Sequence, residues 1–203
     1  MVLLSLGTVY GLLFLAGLNG MLRSLETARD EILIAAQLFV PLGALLWEMI
    51  YFHLWVDDDG QEALRAVHKG RRSCLWDLLL LSLLFIGCML PGAFLFCALF
   101  GIWPWDMGRL IIEILLAVGG LYLFGILFHS VTLGGLPVVC YLLFCALGAM
   151  SANMQGLVPL QAQAPIGKER FFAVCMPAFL LAAIFYLAGW LMERYFYKIS
   201  GSC

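Results

Sequence analysis

The chain has 203 residues, of which 64% are hydrophobic and only 12% are charged. Soluble domains average about 45–50% apolar and about 25% charged residues, so the composition indicates a membrane protein and excludes an ordinary soluble domain. The formal net charge of -2 argues against a nucleic-acid partner, because nucleic-acid-binding surfaces are strongly basic.

Six runs of the chain are apolar over about 20 residues, the length that a membrane-crossing helix needs. In chain order they cover approximately 2–22, 33–55, 76–101, 109–129, 132–152 and 171–192. The first run lacks a preceding basic segment and a suitable cleavage site, so we interpret it as a span and not as a signal peptide. We predict an all-α, polytopic membrane fold, with one six-span transmembrane domain over residues 1–203. The fourth and fifth runs are separated only around His129, which predicts a tight helical hairpin.

One charged segment, DDDGQEALRAVHKGRR at 57–72, separates the second and third runs. Asp59 and Glu62 have the spacing of a capping box, and Gly70 suits the left-handed position after a helix. Acidic residues lie at the start of the segment and basic residues near its end, and the helix dipole favours negative charge at the N-terminus and positive charge at the C-terminus. These features predict a short cytoplasmic helix over 59–69.

An isolated helix needs about 12–15 residues to be stable in water. The predicted helix is shorter, so it must lie on the membrane or dock against a partner. A lipid-bound linker would explain the basic residues, because anionic headgroups attract them. It explains the three aspartates at 57–59 less well, since the same headgroups repel them. Docking on a protein partner accommodates both charges.

The run DGQEAL from Asp59 to Leu64, followed by HKGRR at 68–72, resembles the coupling helix of type-2 membrane permeases of ATP-binding-cassette (ABC) exporters. The resemblance covers the whole chain in span number and about 57–80 in sequence pattern. It implies that a separate ATPase chain binds this helix and that the bundle moves substrate by alternating access. The implied ATPase contacts are Asp59, Gly60, Gln61, Glu62, Leu64, Arg65 and Lys69.

The same resemblance implies a second permease subunit, as a homodimer or a heterodimer, and no catalytic residues or cofactor in this chain. The sequence contains no G-x-x-x-x-G-K-[ST] nucleotide-binding loop, so ATP is expected on the partner ATPase.

The distribution of basic residues predicts the orientation. Loop 56–75 and the C-terminal tail hold six Lys and Arg, against five on the opposite face. Four of the six cluster in the loop, and basic residues are enriched on the cytoplasmic side. We therefore expect loop 56–75 and both termini to be cytoplasmic in a multi-pass protein of a bacterial cell membrane.

Two carboxylates fall inside the predicted spans. Glu48 is the only charged residue between Leu33 and Trp55, and intramembrane carboxylates usually face a bundle interior or a cavity. It is interpreted either as part of a translocation path, binding substrate or a proton, or as a carboxylate that reaches the interface beside His53. Glu113 lies four residues after Arg109, which favours a local ion pair over transport chemistry.

The remaining reactive residues form no recognisable site. The three histidines are far apart and match no metal-ligand spacing, and the seven cysteines are scattered without a C-x-x-C pair. No metal site is predicted. Residues 153–170, between the last two spans, are interpreted either as an exterior loop or as a partly re-entrant segment.

Two other functions remain open on the sequence. A vitamin-capturing membrane subunit of an energy-coupling importer has a similar length and span number, although the outer loops lack the aromatic and polar clusters that such a site needs. An intramembrane protease or lipid-modifying enzyme would need clustered His, Glu or Ser, and His53 and His129 share no motif with a carboxylate pair.

The predicted orientation can be tested by cysteine labelling in a background depleted of native cysteines. Gln61→Cys should resist an impermeant thiol reagent in intact cells and should react after permeabilisation. Gln161→Cys, between the last two spans, should react in intact cells. Labelling at position 61 from outside would contradict both the orientation and the coupling role.

Overall fold

The computed structural model describes residues 2–22, 24–56, 73–101, 104–148 and 168–200, and within these ranges it contains six α-helices and no strand. The helices are α1 (Val2–Met21), α2 (Leu25–Val56), α3 (Cys74–Phe100), α4 (Pro104–Phe128), α5 (Val131–Gly148) and α6 (Lys168–Ser200). The predicted all-α fold is confirmed. The predicted helix 59–69 and most of the segment 153–170 lie outside the described residues.

Four of the helices, α2, α3, α4 and α6, are long and apolar enough to cross a membrane. The remaining two are apolar over shorter ranges, Leu6–Met21 in α1 and Val131–Cys145 in α5. The lengths and composition therefore support a multi-pass membrane protein. The crossing of the membrane by all six helices stays a prediction.

Helix α2 begins at Leu25, earlier than the start at residue 33 that its apolar run predicts. Ser24 caps this end, because its hydroxyl accepts a hydrogen bond from the Thr27 backbone N–H at 3.1 Å. At about 1.5 Å per residue, the 32 residues of α2 extend roughly 48 Å, well beyond a hydrocarbon core of about 30 Å. The charged first turns of α2 therefore need not lie in lipid.

The link between α4 and α5 forms the predicted tight hairpin. It consists of His129 and Ser130, and His129 has a positive φ of 50°. The two helices approach most closely where Gly134 faces Gly125: a Cβ at Gly134 would lie under 3.0 Å from three backbone atoms of Phe124 and Gly125. Glycine therefore sets the helix separation in this hairpin.

Helices α2 and α4 lie at the centre of the bundle. Helix α2 packs against α1, α3, α4 and α5, and α4 packs against α2, α3, α5 and α6. Helices α3 and α6 expose rows of large apolar side chains, including Leu80, Leu83 and Phe94 on α3 and Leu180 and Leu187 on α6. Such faces are expected of helices that contact lipid.

The close approach in the hairpin predicts different outcomes for the same substitution at two helical glycines. Gly134→Ala should lower the melting temperature in detergent, because overpacking costs about 1–3 kcal/mol. Gly87→Ala should leave it unchanged or raise it slightly, since a Cβ at Gly87 meets no atom within 4 Å and Ala favours helix. Equal melting temperatures for the two variants would contradict the close contact.

Candidate functional site

The seven residues predicted to contact an ATPase all lie in 57–72, outside the ranges that the structure describes. Their role stays a prediction, but both flanks of the segment are described. Val56 is the last residue of α2, and Ser73 is the N-cap of α3. Because α2 and α3 pack against each other, these flanks mark one end of the bundle, which we call the Ser73 end.

Glu48 lies in the middle of the bundle, and its side chain is completely buried. Its Oε1 accepts a hydrogen bond from the Ser82 hydroxyl of α3. Its Oε2 has no hydrogen-bond partner among the residues that the structure describes. The alternative that Glu48 reaches the interface beside His53 is contradicted, because His53 is exposed while Glu48 points inward. A role in a translocation path stays a prediction.

Tyr186 of α6 lies beside Ser82 and Glu48. Its hydroxyl is buried and faces Ser82 without meeting the full geometry of a hydrogen bond. Its ring packs against Tyr122 of α4, with ring centroids 6.4 Å apart. Two polar groups, the Glu48 carboxyl and the Tyr186 hydroxyl, therefore lie in the interior with unused hydrogen-bonding capacity.

A second buried carboxylate lies nearer the Ser73 end. Asp77, in the first turn of α3, accepts a hydrogen bond from the Tyr51 hydroxyl of α2 at 3.0 Å. Tyr51 follows Glu48 by nearly one helical turn. The contact continues the polar interface between α2 and α3 toward the end where the charged segment joins them.

The third carboxylate, Glu193 of α6, holds the N-terminus of α3. Its Oε2 accepts hydrogen bonds from the Ser73 hydroxyl at 2.5 Å and from the Tyr122 hydroxyl, and its Oε1 accepts one from the Cys74 backbone N–H at 3.1 Å. A carboxylate at this position is also favoured by the positive end of the helix dipole. Glu193 therefore ties the first residues of α3 to α4 and α6.

Polar side chains line the bundle from Glu48 to Ser73, and we call the set Glu48, Ser82, Tyr186, Tyr122, Glu193 and Ser73 the polar track. Its step from Tyr186 to Tyr122 is a contact between rings and not a hydrogen bond. Ser82 is nine residues from Ser73, and Tyr186 is seven residues from Glu193. At about 1.5 Å per helical residue, the track spans roughly 10–14 Å along the bundle axis. It leads from the buried Glu48 to the residue that follows the charged segment 57–72.

The predicted Arg109–Glu113 pair is confirmed. Arg109 Nε donates to Glu113 Oε1 at 3.1 Å within α4, and both side chains are almost completely buried. The pair lies in the first half of α4, whereas Tyr122 lies in the second half and contacts the track. Its charges compensate each other locally, as expected for a buried ion pair that stabilises one helix.

Sequence reasoning missed Ser73 and Glu193. Glu193 was placed just beyond the last apolar run, although it continues a helical stripe of residues that the structure buries, Cys175, Ala178, Ala182, Gly189 and Glu193. That three- and four-residue spacing could have marked Glu193 as inward-facing. The partner across the bundle could not have been identified, because Ser73 is separated from Glu193 by 120 positions in the chain.

Across the described residues, no group of three or more His, Cys, Asp or Glu side chains is placed to hold a metal ion. The six cysteines within those ranges are free thiols. Comparisons with protein families, with curated proteins and with solved structures find no match.

The contacts of Glu193 predict a large loss of stability on its removal. Glu193→Ala leaves two buried donors, the Cys74 N–H and the Tyr122 hydroxyl, and the half-buried Ser73 hydroxyl without their acceptor, and each buried orphaned group costs about 1–3 kcal/mol. Tyr122→Phe removes one donor and should have a smaller effect. Both changes can be measured by unfolding in detergent.

Glu26→Ala serves as the matched control, because Glu26 is an exposed carboxylate of α2 and surface substitutions usually change stability by less than about 0.5 kcal/mol. A Glu193→Ala variant as stable as the Glu26→Ala variant would contradict the role of Glu193 in holding α3.

Proposed function

We propose that this chain is the membrane-spanning permease subunit of an ABC exporter. It binds a separate ATPase through the segment 57–72 and pairs with a second permease subunit. In this proposal all six helices cross the membrane, with the segment and both termini in the cytoplasm. ATP is hydrolysed on the partner chain, and this chain has no catalytic residue.

The observation that carries the proposal is the connection of the charged segment to the bundle. The segment follows Val56 directly and ends at Ser73, and Ser73 is bonded to Glu193 of α6. Glu193 is bonded in turn to Tyr122 of α4. A force applied to the segment by a partner would therefore act on α3, α4 and α6 together and not on a loosely attached loop.

The position of α2 supports the same mechanism. The segment begins where α2 ends, and α2 packs against four other helices. A displacement of its end by an ATPase would reach the bundle centre, where Glu48 lies completely buried. Alternating access needs such a connection between the site of ATP-driven motion and the interior of the membrane domain.

The composition of the segment favours a protein partner over lipid alone. Asp57, Asp58 and Asp59 are followed within 13 residues by Arg65, Lys69, Arg71 and Arg72. Such a surface carries both signs of charge, so a protein groove with complementary charges can bind it. Its larger apolar side chain, Leu64, would fill an apolar pocket in that groove, and binding energy usually concentrates in a few such central residues.

Leu64→Asp should reduce recovery of the ABC ATPase that copurifies with the tagged chain from its native membranes. It should also uncouple ATP hydrolysis from transport, while the membrane domain stays folded and inserted. The cause is the replacement of an apolar anchor by a charge that a docking pocket cannot solvate. Recovery is compared at matched membrane levels of the two proteins.

Gln161→Asp is the matched control, because it adds the same charge in the segment between α5 and α6, on the opposite side of the membrane in this proposal. Gly70→Val should act like Leu64→Asp, since a β-branched residue is strained at a left-handed position. Undiminished ATPase recovery with normal transport in the Leu64→Asp variant would contradict the coupling role.

A further inference from the structure

The interior carboxylate Glu48 is the feature that the proposed ATPase coupling leaves unexplained. It is completely buried, it accepts one hydrogen bond from Ser82, and its second oxygen has no partner among the described residues. Of the other two glutamates that are buried in the described ranges, Glu113 pairs with Arg109, although its Oε2 also has no hydrogen-bond partner there, and Glu193 accepts three hydrogen bonds. Glu48 differs from both.

No basic side chain in the described ranges contacts Glu48. Arg109 bonds to Glu113, Arg29 lies 3.8 Å from Asp30 in the first turns of α2, and Arg194 is exposed with its guanidinium over the Trp190 ring. His53 of α2 and His129 after α4 are exposed. The inward-facing titratable side chains on the helices around Glu48 include Tyr10 of α1, Tyr51 of α2, Cys74 and Asp77 of α3, Tyr122 of α4, Tyr141 and Cys145 of α5, and Tyr186 and Glu193 of α6. Each of these groups is neutral or acidic, so none supplies a positive charge.

A carboxylate anion without a compensating cation is strongly disfavoured in a membrane interior. A proton removes the charge without needing space, whereas an organic substrate needs a cavity. Glu48 has no exposed surface, so no space as large as a water molecule adjoins it, and it does not line the apolar cavity of about 20 Å³ that includes Tyr10, Leu13 and Met89. The ligand that fits the packed surroundings of Glu48 is therefore a proton.

We propose that Glu48, Ser82 and Tyr186 form a proton-binding site, and that Glu48 takes up and releases a proton toward the Ser73 end of the bundle. In the protonated state the proton resides on Oε2, and Oε1 accepts the hydrogen bond from Ser82. Release breaks the Glu48 O–H bond and leaves a carboxylate. Ser82 continues to donate to that carboxylate, and in this proposal the Tyr186 hydroxyl, which lies beside Ser82, becomes its second donor.

The direction of release follows from the distribution of polar groups. Toward the Ser73 end, the polar track continues through Tyr122 and Glu193 to Ser73. On the other side of Glu48 lies an apolar cluster that includes Phe85 and Val40, and the buried Arg109–Glu113 pair lies in the first half of α4. In this proposal the proton leaves toward the Ser73 end, where the hydroxyl and carboxyl groups of the track lie; the step between Tyr186 and Tyr122 is a ring contact and supplies no hydrogen bond of its own.

The inference does not depend on an ATPase, so it is tested on the purified full-length chain in lipid nanodiscs. Infrared difference spectra over a pH titration record the C=O stretch of a protonated carboxylic acid. We expect such a band at neutral pH, its loss at alkaline pH, and its absence from Glu48→Gln. This isosteric variant keeps an oxygen that can accept the hydrogen bond from Ser82, so the fold should survive.

Two further variants separate this site from other buried groups. Glu113→Gln should retain the band, because Glu113 is compensated by Arg109. Tyr186→Phe should retain the band at neutral pH and lose less of it at alkaline pH, since the anion has one donor fewer. A purely structural role for Tyr186 would leave the titration unchanged.

The proposal is overturned if the wild-type band is absent, if Glu48→Gln leaves it unaltered, or if it does not respond to pH over the range in which the protein remains folded. Loss of ATPase binding in other experiments would not alter these outcomes, and normal ATPase binding would not rescue the proposal.

Discussion

The carboxylate of Glu193 at the N-terminus of α3 is the contact on which this end of the bundle depends. Helices leave their first backbone N–H groups without intrahelical acceptors, and within a membrane protein water is a poor substitute. Glu193 accepts the Cys74 N–H and two hydroxyl donors. One side chain of α6 thus accepts the free backbone N–H at the start of α3 and also bonds to Tyr122 of α4. These hydrogen bonds hold α3, α4 and α6 together at this end.

The three glutamates that are buried in the described part of the chain illustrate three degrees of electrostatic compensation. Glu113 has a guanidinium in the same helix, and Glu193 has three hydrogen-bond donors from two other helices and a helix N-terminus. Glu48 has one hydroxyl donor and an unused oxygen. A buried carboxylic acid is stable in its charged form only when nearby groups compensate the charge. Glu113 and Glu193 therefore suit permanent structural roles, and Glu48 suits a group that gains and loses a proton.

The proposed coupling and the proposed proton site share one route through the molecule. The polar track begins at Glu48 in the core and ends at Ser73, where the charged segment 57–72 joins α3. A partner that moved the segment would act on the same helices that surround Glu48. The two proposals therefore involve the same helices, while α3 and α6 expose rows of large apolar side chains.

The sequence by itself determined the helical, membrane-spanning class of the protein and several local features. Apolar length predicts the helices, the short link at His129 predicts the α4–α5 hairpin, and the four-residue spacing of Arg109 and Glu113 predicts their ion pair, because each of these depends on neighbours in the chain. The start of α2 was placed too late, since charged residues end an apolar run without ending a helix capped by Ser24.

Only the tertiary structure decided how the polar interior is arranged. Ser73 and Glu193 are separated by 120 positions and Ser82 and Glu48 by 34, and no local pattern encodes which side chains meet across a bundle. Whether a buried carboxylate meets hydrogen-bond donors or a cation depends on how each neighbouring helix is rotated about its axis and positioned along the bundle. The unused oxygen of Glu48 and the three donors of Glu193 arise from that packing, because hydrogen bonds require groups to approach within about 3 Å.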